Sequence, residues 1–211
     1  MVLYYPELVR AVFSLCVPYM PPAPKVFTLE QVTDRAPNFK YQLQLASGKA
    51  EEIVAKTPDG LRHFLNGMYG GRTPEEQHMF SPAVGILEEN LTKVGKAALV
   101  SQDIIDFYVQ EFSRNGLHGP CNWYRTTELN GQDGLALAAE KNGDFQIKIP
   151  AMLVMAGQDS VLLPKLADGQ EKFFAAGLKR ELVEEATHWI QVQCPEETNK
   201  HINDFVKSVL A

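Results

Sequence analysis

The sequence predicts an α/β fold, a parallel sheet flanked by helices and interrupted by a helical lid. Three observations carry this expectation. Residues 9–17 form a near-continuous apolar run, residues 149–156 form a second, and strand-like and helix-like segments alternate from there to the end. Short, unbroken apolar runs suit strands buried on both faces of a parallel sheet. Alternation of strand and helix suits a sheet with covering helices.

The elements follow in order. Tyr4-Tyr5-Pro6-Glu7 reads as the end of a helix, and residues 9–17 as the first strand. Pro18, Pro21, Pro22 and Pro24 end that strand, because proline fixes φ and removes a ladder donor. Residues 28–142 are patterned mostly for helix, with Gly and Pro punctuation at residues 57–60, 70–71 and 116–120. Ser101 is placed to cap a helix running to about Arg114, with Ile104, Ile105, Tyr108, Val109 and Phe112 at helical spacing. After the second strand, residues 168–176 read as a helix and residues 179–183 as a third strand. Pro195 then opens a last helix with Ile202, Phe205, Val206, Val209 and Leu210 on one face. The expected organisation is a core remnant over residues 1–24, a helical lid over 25–145, and the C-terminal part of the core over 146–211.

Composition bounds the function classes. A net charge of −6 with no Lys/Arg-rich stretch argues against nucleic-acid binding. Three scattered cysteines without C-x-x-C spacing argue against a disulfide framework or zinc knot, and fit a reducing compartment. The five histidines form no H-x-x-x-H pair, so no metal or other cofactor is expected. Residues 8–20 are apolar, but Glu7, Arg10 and Pro18 make them a poor signal peptide, and they are too short to span a bilayer. The expected location is the cytoplasm, with the peroxisome as the alternative.

Functional groups in open parallel sheets gather beyond the carboxyl ends of the strands. Asp159 and His188 each follow such an end, and successive parallel strands are usually neighbours. A carboxylate that orients an imidazole lets the other ring nitrogen act as a base. Spacing alone leaves open a plainer reading, in which Asp159 caps a turn and His188 is a satisfied loop histidine.

Four segments resemble soluble epoxide hydrolases of the α/β-hydrolase superfamily. They are Gly157-Gln158-Asp159-Ser160-Val161-Leu162-Leu163-Pro164, Thr187-His188-Trp189-Ile190-Gln191, Phe39-Lys40-Tyr41-Gln42-Leu43 and Gly119-Pro120-Cys121-Asn122-Trp123-Tyr124-Arg125. Their order matches the family along essentially the whole chain. The resemblance implies a partial α/β-hydrolase fold with a helical lid, and a small hydrophobic epoxide as substrate. In that family an aspartate opens the epoxide as an alkyl–enzyme ester, and two lid tyrosines donate to the epoxide oxygen. Tyr41 and Tyr124 would fill the donor roles, and His188, oriented by Asp159, would activate the water that hydrolyses the ester. Phe39, Trp123 and Trp189 would wall an apolar pocket, although plain packing explains such aromatics equally well. The tyrosine donors favour an epoxide over a halide, whose leaving anion dehalogenases of the superfamily hold with tryptophan N–H groups.

One departure qualifies the resemblance. The family's His-Asp-Trp-Gly nucleophile segment and its His-Gly oxyanion loop are absent, and no G-x-S-x-G elbow replaces them. Residues 4–10 correspond to the end of the helix that follows the nucleophile, so the chain is expected to be N-terminally truncated and inactive alone. The strand at residues 9–17 would then carry an open apolar edge, inviting self-association or a partner chain. The alternative function is an inactive paralogue that serves as a binding or interaction protein.

Overall fold

A computed structural model describes residues 1–211. The chain divides into two compact units, one formed by Met1–Val26 with Gly131–Ala211 and the other by Phe27–Asn130. In chain order, the first unit opens with a 3-10 turn, Pro6–Leu8, and strand β1 (Val12–Leu15). The second unit holds helices α1 (Leu29–Arg35), α2 (Tyr41–Ala46), α3 (Lys49–Ala55) and α4 (Gly60–Met68). A two-stranded antiparallel hairpin follows, β2 (Phe80–Ser81) and β3 (Gly85–Ile86), then α5 (Glu88–Leu91), α6 (Gln102–Asn115) and α7 (His118–Arg125). Helix α8 (Thr127–Glu140) leads to strands β4 (Ala151–Ala156) and β5 (Leu178–Val183), the short α9 (Ile190–Gln193) and α10 (Pro195–Leu210).

The sheet has the order β1-β4-β5 and is parallel throughout. Val12 lies opposite Ala151, and Ala151 opposite Leu178. β4 is central, and all six of its residues are buried. Each large aliphatic side chain so buried contributes roughly 1.5–3 kcal/mol. β1 is different. Phe13 is 41% and Val17 46% exposed, and the strand has β4 as its only neighbour.

Five local expectations need correction. The first strand is shorter than its apolar run, because Cys16 adopts a left-handed φ of 62° that ends it, and it is not buried on both faces, because nothing in the chain covers Phe13. The turn at Pro6–Leu8 is 3-10 and not the end of an α-helix. The helix expected over residues 168–176 is reduced to a 3-10 turn, Gln170–Phe173, because Gly169 at φ 70° breaks the backbone ahead of it. On α6, Ser101 Oγ does accept the Ile104 N–H and Ile105 is fully buried, but Ile104 is 41% exposed. Of the apolar face expected on α10 only Phe205 is buried, while Val206 and Leu210 face outward. The β2–β3 hairpin carries too few residues for an alternating pattern to announce it.

The helical unit has its own core, built around Ile53, Val54, Met79, Ile86 and Leu91, with Tyr41 and Tyr124 packed at its margin. Thr28 starts α1 with a reciprocal cap, its hydroxyl accepting from the Gln31 N–H while the Gln31 side chain accepts from the Thr28 N–H. No helix of the protein is long and apolar enough to cross a membrane.

The exit from β4 is the tightest point of the sheet. Gly157 donates its N–H to the Val183 carbonyl, and a Cβ placed on it would lie 2.4 Å from the Glu184 carbonyl oxygen. The atoms it would meet all belong to the Glu184 backbone, so no flexible side chain can yield. Gly157→Ala is therefore expected to cost about 1–3 kcal/mol through forced backbone shifts, read as a lower urea midpoint at unchanged slope.

Candidate active site

In the sheet unit the loops after β4 and β5 emerge side by side, because the two strands are parallel neighbours. Backbone bonds fix both loops. The Gln158 N–H donates to the Ala186 carbonyl at 2.9 Å, and the Thr187 N–H and hydroxyl both donate to Gln193 Oε1 at 2.9 and 2.6 Å. This brings Asp159 and His188 together, with His188 Nδ1 2.8 Å from Asp159 Oδ2. The other carboxylate oxygen, Oδ1, accepts the N–H groups of Val161 and Leu162 at 2.8 and 2.9 Å.

The Asp159 carboxylate is fully buried, whereas the His188 side chain is 44% exposed. Burial opposes ionisation of Asp159, but the bonds from His188, Leu162 and Val161 outweigh it and hold the carboxyl below its ordinary range. A carboxylate can only accept, so His188 Nδ1 carries the hydrogen and donates it. Nε2 is left to take a proton. Trp189 stands beside the imidazole with ring centroids 5.3 Å apart, edge to face.

Cys16 was not singled out from the sequence, yet it belongs to this site. It is 3% exposed, and its Sγ lies 3.6 Å from the His188 carbonyl oxygen. Burial, then the charge of Asp159, push the thiol up to about 11. It stays protonated at neutral pH and is no substitute nucleophile. The only cue in the sequence was its position near the end of an apolar run.

In the helical unit Tyr41 begins α2 and Tyr124 sits in the last turn of α7. Their rings meet edge to face with centroids 5.9 Å apart, and Phe80 packs on Tyr41 at 5.4 Å. Burial, and then the Tyr41 phenol, push the Tyr124 phenol well above its ordinary range, so it stays a neutral donor. Phe39 closes the 3-10 turn ahead of α2 and is half-buried. Trp123 is 82% exposed and forms no buried wall.

The depressed Asp159 carboxyl has a definite pH signature. Because its folded pKa lies below its unfolded one, its stabilisation is fully present above about pH 4 and is lost as pH falls through the folded value. Asp159→Asn is expected to lower the urea midpoint at pH 7, with the gap to wild type closing as the buffer is taken below pH 4. A gap independent of pH would contradict the ionised pair.

No family model matches the chain. Among curated proteins it is 47% identical over 211 residues to epoxide hydrolase srdG of Neurospora crassa, covering 99% of this chain and 61% of that protein. It is 35% identical over 213 residues to bifunctional epoxide hydrolase 2 of Sus scrofa, covering 99% of this chain and 36% of that one. Among solved structures, potato (Solanum tuberosum) epoxide hydrolase I superposes with a TM-score of 0.74 at 25% identity, over 98% of this chain and 64% of the potato chain. An epoxide hydrolase of Vigna radiata shares the fold at the same TM-score and 21% identity. The chain thus spans about three fifths of the Neurospora relative and about a third of the mammalian one. With the parallel sheet already in view, these likenesses show an α/β-hydrolase fold in a chain similar to part of the length of epoxide hydrolases.

Proposed function

We propose that this chain carries the water-activating and oxygen-polarising groups of an enzyme that hydrolyses a small hydrophobic epoxide to a vicinal diol. The observation that carries the reading is the Asp159–His188 pair, a buried ionised carboxylate bonded to one nitrogen of a half-exposed imidazole. The chemistry divides into two steps. A carboxylate nucleophile attacks an epoxide carbon, the C–O bond breaks, and the released oxygen takes a proton from a neutral phenol of the Tyr41–Tyr124 pair. His188 Nε2 then takes a proton from water, the hydroxide attacks the ester carbonyl, and the diol leaves as the carboxylate is restored, the proton on His188 returning through solvent to the phenolate.

The nucleophile lies outside these residues. No His-Asp-Trp-Gly segment occurs in the sequence, and the buried, protonated Cys16 does not replace it. Phe39 and Trp189 are assigned to substrate contact. Trp123 keeps that assignment only where something covers its exposed ring. The cytoplasm or the peroxisome is the location that fits three unpaired cysteines.

A second reading, a non-catalytic binding protein, has one observation in its favour. An apolar groove of about 460 Å³ is lined by Val2, Phe13, Val17, Tyr19, Met152 and Phe174, among others, on the face of the sheet beside β1. Self-association or a partner chain would act there.

Assay with a small aryl epoxide separates the two. The purified 211-residue chain is expected to give diol at the uncatalysed rate. The same chain extended upstream, where an in-frame His-Asp-Trp-Gly segment is read, is expected to be active and to lose on the order of 100-fold or more with His188→Ala. Robust turnover by the 211-residue chain, abolished by His188→Ala and Tyr124→Phe, would refute the external nucleophile. An extended chain without activity would favour the binding protein.

A further inference from the structure

The residue after Tyr124 makes more charge-assisted bonds than any role in the reaction accounts for. Arg125 Nε donates to the Ala46 carbonyl at 2.9 Å, and one terminal nitrogen donates to Glu51 Oε1 at 2.7 Å. The other donates to Asn122 Oδ1 at 2.8 Å and to the His118 carbonyl at 3.2 Å, with His118 Nδ1 at 3.3 Å. The Arg125 and Glu51 side chains are each about three quarters covered. One guanidinium thus gathers acceptors from α2, α3 and its own helix α7.

The acceptors are not arbitrary. Ala46 is the last residue of α2, where backbone carbonyls lack a helical donor and a cation is favoured. Tyr41 is the first residue of that same short helix. His118 and Asn122 lie earlier on α7, so the guanidinium folds back along the helix that presents Tyr124. Only a planar fork with five donors reaches all of these at once. An ammonium is a point charge and does not span them.

We propose that Arg125 is a positioning residue for the tyrosine pair: by tying the end of α2 to α7 and α3, it holds the Tyr41 and Tyr124 rings in their edge-to-face contact. The inference rests on the reading of those two phenols as donors to the epoxide oxygen. Glu51 anchors the clamp, since the bond from Arg125 keeps its carboxyl below the ordinary range despite partial burial. Two donors aimed at one oxygen must keep their separation, and a loose helix end would let it vary.

Two-dimensional NMR on ring-labelled tyrosine tests this without turnover. In the wild-type chain, cross-relaxation between the Tyr41 and Tyr124 rings is expected. It should be lost in Arg125→Met, weakened at least two-fold in Arg125→Lys, and retained in Glu51→Gln, which keeps an acceptor oxygen. Full cross-peak intensity in a folded Arg125→Met chain, with only a lower melting temperature, would reduce Arg125 to general stabilisation and overturn the proposal. Should that variant not fold, the double variant Glu51→Ala with Asn122→Ala leaves the Ala46 bond and serves instead. At least halved intensity supports the clamp, and unchanged intensity overturns it. A failure of the donor reading would show separately, as an active extended enzyme indifferent to Tyr124→Phe.

Discussion

Parallel pairing of β4 with β5 is the constraint from which the chemistry of the sheet unit follows. Parallel strands end on the same side, so the loops that leave them start as neighbours. Here the register places Ala156 opposite Val183, and Gly157 and Gln158 then continue the pairing into the β5 loop by backbone bonds to Val183 and Ala186. At the next residue, the Asp159 carboxylate takes two backbone N–H groups from its own loop, those of Val161 and Leu162. Its second oxygen is thereby aimed at His188. The imidazole is oriented by a carboxylate that is itself immobilised by main chain. A glycine at 157 is what permits so close an approach, since any Cβ would strike the Glu184 backbone.

The helical unit solves a different problem, which is to hold two tyrosine rings against each other. Burial raises the Tyr124 phenol and leaves it a donor rather than an anion. Packing holds the rings. Phe80, from the β2–β3 hairpin, and Tyr124 both pack on the Tyr41 ring. The helices that carry these rings are short, and short helices derive their order from tertiary contacts rather than propensity. That is why a many-donor side chain such as Arg125 matters more here than it would on a long amphipathic helix.

Much of this was legible in the sequence, and unevenly so. The central strand was plain because burial on both faces leaves an unbroken apolar run, Ala-Met-Leu-Val-Met-Ala, which nothing polar interrupts. Asp159 and His188 were legible because topology alone puts successive strand ends together. Features set by backbone conformation were not legible. Nothing in its identity announces that Cys16 adopts a positive φ, and Gly169 only permits the positive φ that reduces an expected helix to a 3-10 turn. The exposed flank of β1 and the outward Val206 and Leu210 show the same gap from the other side. Periodicity reports which residues suit burial, and it does not report whether a partner element is present in the chain.

Everything proposed for the sheet unit depends on Asp159 holding His188 in the tautomer with hydrogen on Nδ1 and none on Nε2. Nitrogen-15 NMR of the imidazole at neutral pH reads that state directly. In the neutral imidazole of the 211-residue chain the hydrogen is expected on Nδ1 and not on Nε2, a preference lost in Asp159→Ala. An Nε2-protonated imidazole, or a tautomer indifferent to removal of Asp159, would contradict it.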